Sequence, residues 1–110
     1  MNIAERAKEG VTVFVLEGRI DTQGAVEMDK ALQAAVAQGK HKMVLDMAEV
    51  RYISSAGLRT LADVLTKNKQ AEGDLKLAAL NPRVLRVLQV IGFDNFFSIH
   101  EAVQDAIADF

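Results

Sequence analysis

The chain has 110 residues, of which half are hydrophobic and a quarter are charged, with a formal net charge of −2. This composition excludes a disordered chain, and the length suffices for one hydrophobic core, so we expect a single domain over residues 1–110. The absence of cysteine excludes disulfides and thiolate chemistry, and the slight acidity argues against nucleic-acid binding.

The other exclusions concern metals and membranes. The only histidines, His41 and His100, lie far apart in the sequence, which argues against a histidine-based metal site or catalytic triad. No apolar stretch approaches the roughly 20 residues that a membrane helix needs, and the N-terminal residues lack the pattern of a secretion signal. We therefore expect a cytoplasmic protein without direct insertion into a membrane.

Strand and helix patterns alternate along the chain, with Gly, Asn, Asp and Pro at the boundaries. In chain order, we expect an edge strand over 2–8, a central strand from Val11 that closes at Gly18, a helix from Asp21 to Gly39 and a strand over 42–47. A second helix then lies between the serine pair Ser54-Ser55 and the turn at 72–74, and a strand over 75–80 follows it. The last expected elements are a helix from Asn81 to Gly92, a short strand over 96–99 and a helix over 100–109.

The alternation also predicts the fold class. Strands that are separated by helices need crossover connections, and crossovers produce parallel pairing. The first two strands are joined by a tight turn at Glu9-Gly10, so they form one antiparallel pair at an edge. The sequence therefore predicts an α/β domain with a mixed, mostly parallel sheet of four to five strands and about four helices.

The most informative segment covers residues 46–61, DMAEVRYISSAGLRTL. An apolar strand leads into it and an amphipathic helix follows, so Ser54 and Ser55 stand where a strand passes into a helix. A hydroxyl at a helix start caps the first N–H groups or, once phosphorylated, holds its phosphate against them. The small residues Ala56 and Gly57 leave room for another protein to reach the hydroxyl. By residue type alone, a purely structural cap stays open for either serine.

This junction resembles the signature of the STAS domain, in particular that of the bacterial anti-sigma factor antagonists, and the resemblance covers nearly the whole chain. The family's junction commonly reads Asp-Ser-Ser-Gly-Leu, and the modified residue is the serine directly after the aspartate. The corresponding stretch here is Ser54-Ser55-Ala56-Gly57-Leu58. The resemblance thus implies phosphorylation of Ser55, with Ser54 as the runner-up. In this chain Ser54 replaces the aspartate, and Ala56 replaces the second serine.

A second family-like segment is Gly18-Arg19-Ile20-Asp21. The resemblance implies that Asp21 lies beside the modified serine on one partner-binding surface, while a helix cap is the equally open structural interpretation. Arg59, one turn into the second helix, could pair with an acid of the partner or with the phosphate. The whole expected surface comprises Asp21, Ser54, Ser55, Ala56, Gly57 and Arg59. Two further interpretations are structural: Tyr52-Ile53 as core, and Asp46 as the cap of a turn after its strand.

Sequence motifs of enzymes are missing from the chain. It has no Gly-x-Gly-x-x-Gly segment after a strand, no phosphate-binding Gly-Lys-Ser/Thr loop and no Gly-x-Ser-x-Gly elbow. We therefore expect no catalytic residue, cofactor or metal, and a protein that is a substrate of enzymes but not an enzyme itself.

The resemblance implies a partner-switching function. On this expectation, the unmodified protein binds an anti-sigma factor that is an ATP-dependent serine kinase, and this binding releases the sigma factor. Phosphorylation ends the binding, and a metal-dependent serine phosphatase restores it. Two alternatives stay open: an unphosphorylated STAS accessory subunit of a membrane transport complex, and a module that binds a small ligand at the strand ends.

Overall fold

The computed structural model describes residues 1–110 and contains five strands, four α-helices and one short 3-10 turn. Their bounds are β1 Asn2–Lys8, β2 Val11–Ile20, α1 Thr22–Ala37, β3 Lys42–Ile53, α2 Ser55–Gln70, β4 Asp74–Ala78, α3 Pro82–Val90, the 3-10 turn Phe93–Asn95, β5 Ile99–His100 and α4 Val103–Ala108.

The strands form one sheet in the order β1-β2-β3-β4-β5. β1 pairs with β2 in antiparallel orientation, and every other pair is parallel. This arrangement confirms the predicted mixed, mostly parallel α/β sheet with one antiparallel edge strand. Because the parallel strands share a direction, the residues that follow β2, β3 and β4 all emerge at the same edge of the sheet. The serine pair lies at this edge.

Both faces of the sheet are covered. A 19-residue buried cluster joins the sheet to α1, α2 and α3, and a 6-residue cluster joins it to α4. The apolar residues of β2 divide between them, since Phe14 and Leu16 belong to the larger cluster and Val11 and Val13 to the smaller one. A strand that is buried on both faces reads as a continuous apolar run, so β2 is central as predicted.

Two strands extend beyond their predicted ends. β2 continues through Gly18 to Ile20, and β3 runs to Ile53 instead of stopping at Met47. The apolar pattern weakens after Met47, but the two backbones remain paired as far as Ile20 opposite Ile53, with register irregularities on the way. Asp46 consequently lies within β3, where its carboxylate accepts a hydrogen bond from the Ala48 N–H at 3.2 Å. It does not cap a turn at the end of the strand.

The C-terminal quarter differs most from the prediction. The short strand is Ile99–His100 and not 96–99, and Phe96 follows the 3-10 turn with 68% of its surface exposed. β4 ends at Ala78, two residues early, and α4 is confined to Val103–Ala108. A two-residue strand has too short a pattern to be located by periodicity.

None of the helices in the structure combines the length and apolarity needed to span a membrane.

The C-terminus is held against the sheet by a buried lysine. Lys76 in β4 is 5% exposed, and its Nζ lies 2.7 Å from Asp109 Oδ2 and 2.8 Å from the Asp109 carbonyl oxygen. His100 Nε2 lies 3.1 Å from the same carboxylate oxygen. The hydrogen bond and charge of Lys76 lower the pKa of Asp109, since both favour the ionised carboxylate.

We predict that Asp109→Asn destabilises the protein at neutral pH, because the buried Lys76 ammonium loses its counter-charge. A carboxylate with a lowered folded-state pKa contributes stability above the ordinary aspartate range and loses it as the pH falls through the folded-state value. The difference in melting temperature between wild type and Asp109→Asn should therefore be largest at neutral pH and shrink in acid. Asp105→Asn is the matched control in α4. A difference that does not vary with pH would contradict the role of the carboxylate charge.

Candidate functional site

Two helices begin side by side at the carboxyl edge of the sheet. Ile20 ends β2 and Ile53 ends β3, and these residues are paired. Asp21 and Ser54 follow them, and α1 and α2 then begin. The Ser54 N–H donates to the Ile20 carbonyl at 2.7 Å, which continues the strand pairing up to the helix start. The structure thus brings Asp21 and the serine pair to one rim, and we name this rim, with Arg59, the serine rim.

Ser54 and Asp21 are the two helix caps. Both have extended backbone conformations. Ser54 Oγ accepts a hydrogen bond from the Gly57 N–H at 3.2 Å, and Asp21 Oδ1 accepts one from the Gly24 N–H at 2.8 Å. Each side chain thereby satisfies one of the N–H groups that a helix start leaves unpaired. The cap interpretation of Asp21 is confirmed, and of the two serines it is Ser54 that caps α2.

Ser55 has no such structural task. It is the first helical residue of α2 and is exposed, and its hydroxyl makes no hydrogen bond to another group of the chain. The partial positive charge of the helix start surrounds it, because the first N–H groups of a helix have no partner within the helix. An exposed, unbonded hydroxyl at this position is accessible to a phosphoryl donor, and its surroundings favour the negative charge of a phosphate.

Gly57 determines how closely α2 approaches the strand ends. A Cβ at this buried position would lie 2.6 Å from Cγ2 of Ile20 and 2.9 Å from Cγ1 of Ile53. Both distances are well below ordinary van der Waals contact, and both isoleucines are themselves buried. Only glycine lets the helix start rest directly on the paired ends of β2 and β3. Gly57 therefore contributes to the site through the close approach of its backbone to the strand ends. Ala56 beside it is half-buried, so its methyl group projects little from the serine rim.

A short recurrence in the sequence marks both helix starts and was missed by the sequence analysis. Residues 20–24 read Ile-Asp-Thr-Gln-Gly, and residues 53–57 read Ile-Ser-Ser-Ala-Gly. In each, the isoleucine ends a strand, the next residue caps a helix, and the glycine supplies the capped N–H. Thr22 is thus the geometric counterpart of Ser55, and it is also exposed.

Of two side chains near the serine rim, Arg59 is placed as expected and Tyr52 is not. Arg59 is exposed and forms no ion pair, and it lines a shallow groove between α1 and α2 together with Thr22 and Ala56. Tyr52 is 41% exposed, so its interpretation as core was wrong, whereas Ile53 is buried as expected. The Arg19 guanidinium stacks over the Tyr52 ring at 4.3 Å, which explains how an aromatic residue is retained at the surface.

No group of three or more His, Asp or Glu side chains in the structure is arranged to hold a metal ion. The exposed hydroxyls, the Arg59 guanidinium and the two helix starts are groups that bind partners and anions. These groups make the serine rim suitable for recognition by a partner and for modification of a hydroxyl.

The family model of the STAS domain matches residues 2–106. BtrV of Bordetella bronchiseptica, which its name places among anti-sigma factor antagonists, is 33% identical over 102 residues, covering 93% of this chain and 88% of BtrV. Both similarities extend across the serine rim and nearly the full sheet.

Solved structures of anti-sigma factor antagonists have the same fold as this chain. The crystal structure of an anti-sigma factor antagonist from Mycobacterium paratuberculosis has a TM-score of 0.89 at 27% identity, covering 98% of this chain and 92% of that one. SpoIIAA, an anti-sigma factor antagonist from Bacillus, shares the fold in both of its forms. The unphosphorylated form has a TM-score of 0.83 at 17% identity, covering 96% of this chain and 93% of that one. The phosphorylated form has a TM-score of 0.77 at 15% identity, covering 98% of each chain.

We predict that Gly57→Ala destabilises the protein by about 1–3 kcal/mol, because the added methyl group overlaps Ile20 and Ile53 in a packed core. Chemical denaturation of wild type and variant would measure the difference. Ser55→Ala, two residues earlier in the same helical turn, is the control and should change the free energy of unfolding by no more than about 0.5 kcal/mol. Equal stabilities of Gly57→Ala and wild type would show that the strand ends yield to the methyl group.

Proposed function

Since the chain belongs to the STAS domain family, among its anti-sigma factor antagonists, we propose that it is a partner-switching regulator controlled by phosphorylation of Ser55. The unmodified protein binds an anti-sigma factor that is also an ATP-dependent serine kinase, and this binding releases the sigma factor. Phosphorylation of Ser55 ends the binding, and a metal-dependent serine phosphatase restores it. In this proposal the protein acts in the cytoplasm as a substrate of both enzymes.

The observation that carries the proposal is that the two adjacent hydroxyls have different hydrogen-bonding states. Ser54 Oγ accepts the hydrogen bond that caps α2, whereas the Ser55 hydroxyl is exposed and unbonded. A kinase that modifies Ser55 therefore removes no interaction of the folded chain. This supports Ser55 as the acceptor and explains how modification can change the surface while the fold persists.

The serine rim supplies the rest of the docking surface in this proposal. Asp21 and Arg59 are exposed charges on either helix start, and Ala56 and Gly57 present little side chain between them. A partner can therefore bring its own atoms close to the Ser55 hydroxyl. The mixture of charge and small residues favours a specific protein contact over non-specific adhesion.

The switch follows from charge and size. A phosphate adds about −1.5 to −2 charges and three acceptor oxygens. At a surface that fits a neutral hydroxyl, the loss of about 3 kcal/mol of binding free energy weakens affinity more than about a hundredfold. The helix start tolerates the same charge, because its N–H groups and dipole favour an anion.

We predict that the anti-sigma factor kinase of the proposed switch adds one phosphate to the wild type and none to Ser55→Ala. Ser54→Ala should still be phosphorylated, although the lost cap destabilises it by about 0.5–2 kcal/mol. Thr22→Ala, the counterpart at the start of α1, is the matched control and should be modified like the wild type. Intact-mass spectrometry with peptide mapping measures the phosphate on the wild type and on the three variants. A phosphate that persists on Ser55→Ala and maps to Ser54 or Thr22 would refute the assignment.

We also predict that Ser55→Asp weakens binding to the kinase roughly tenfold, because one charge replaces the nearly two of a phosphate. Ser55→Asn, of the same shape but neutral, should bind more tightly than Ser55→Asp. Isothermal titration calorimetry with the purified kinase compares the two variants. If Ser55→Asp binds as tightly as the wild type, Ser55 lies outside the interface and the switch mechanism fails.

A further inference from the structure

A depression of about 220 Å³ lies next to the serine rim. Ile53 forms part of its wall and is followed directly by Ser54 and Ser55. The full lining consists of Arg19, Arg51, Tyr52, Ile53, Arg83, Val84 and Val87. We name this depression the arginine pocket, after the three arginines from separate segments that line it.

The fold assembles the arginine pocket from distant parts of the sequence. Arg19 stands near the end of β2, Arg51 near the end of β3, and Arg83 in the first turn of α3. The extended pairing of β2 and β3 carries Arg19 and Arg51 to the carboxyl edge, where α3 also begins. No carboxylate lines the pocket.

The charges of the pocket are unpaired. Six ion pairs occur in the structure, and their cations are lysines, one histidine and the N-terminal amine. Arg19, Arg51 and Arg83 take part in none of them, and the Arg19 guanidinium lies over the face of the Tyr52 ring. Three arginines without an ion-pair partner line one depression, although the net charge of the chain is −2. They create a local positive potential beside the site of the proposed phosphorylation.

The pocket adjoins the end of β3 that leads into Ser54 and Ser55, so a protein that docks on Ser55 and extends toward α3 covers it. Covering arginines with neutral surface would remove their hydration without replacing it, which is unfavourable. A partner that presents carboxylates satisfies them instead, since the guanidinium fork matches a carboxylate with two parallel hydrogen bonds. The pocket therefore selects for negative charge on the surface that reaches Ser55.

We propose that the arginine pocket receives an acidic segment, rich in Asp or Glu, of the anti-sigma factor kinase, and that this contact orients the kinase toward Ser55. The inference rests on the proposed function and adds the chemistry of the partner's docking element. A phosphate on Ser55 brings about −1.5 to −2 charges to the same rim, so it repels the acidic segment and partly neutralises the arginines. The pocket thus makes binding more sensitive to phosphorylation than a neutral rim would.

The test compares charge-neutral variants in binding to the purified kinase at low and high salt. Arg19→Gln, Arg51→Gln and Arg83→Gln should each weaken binding by about three- to tenfold, mainly through slower association, and the triple variant by about a hundredfold. The triple variant should also lose most of the salt dependence, because the removed charges are those that salt screens. Arg86→Gln, one turn along α3 and outside the pocket, is the matched control and should bind within about twofold of wild type.

Thermal melting of each variant shows whether it is folded before its binding is interpreted. If the wild type binds the kinase and is phosphorylated at Ser55 while the triple variant binds equally well, the arginine pocket proposal is overturned and the proposed function stands. If the wild type forms no complex and gains no phosphate, both are overturned. Saturable binding of inorganic phosphate to the pocket, with kinase affinity unchanged in the triple variant, would assign the pocket to a small anion and refute the docking role.

Discussion

The hydrogen bond from the Ser54 N–H to the Ile20 carbonyl, 2.7 Å long, is the constraint on which the site depends. It ties the end of β3 to the end of β2, so that α1 and α2 begin abreast. Gly57 then lets α2 rest on Ile20 and Ile53 without a side chain between them. Asp21, which is 33 positions away from Ser54 in the sequence, becomes its neighbour for this reason. The serine rim is thus a consequence of strand pairing and close packing, and its exposed residues hold their places without a loop.

Features encoded by neighbouring residues could be predicted from the sequence. Asn81-Pro82 predicts the start of α3, and Asn81 Oδ1 does accept from the Arg83 N–H at 2.9 Å. Gly92, at φ 79°, follows the end of that helix as expected of a residue tolerant of left-handed backbone. The ends of β2 and β3 could not be predicted in this way. Their last residues are held by pairing between strands distant in sequence, and exposed polar residues interrupt the apolar run before the buried Ile20 and Ile53.

The same distinction holds within the site. The strand–serine–serine–helix order predicts a hydroxyl at a helix start, but adjacent serines are equally good caps by residue type. Only the backbone geometry shows that Ser54 Oγ reaches the Gly57 N–H and that Ser55 is left free. The arginine pocket could not be predicted from the sequence at all. Arg19, Arg51 and Arg83 belong to three segments with no common motif, and only the packing of α3 against the strand ends brings them together.

The separation of roles between Ser54 and Ser55 also gives physical meaning to the chain's departure from the family's Asp-Ser order. Aspartate and serine cap helices about equally well, so Ser54 preserves the start of α2. The exchange removes one negative charge directly beside the Ser55 hydroxyl, on a rim that adjoins three unpaired arginines. The unmodified rim is therefore less acidic than an aspartate would leave it. A phosphate on Ser55 would then be the main negative charge to appear there, beside the Asp21 carboxylate already in place. In the proposed switch, the contrast between the two states of the surface would be larger for that reason, while Ser54 would cap the helix in both.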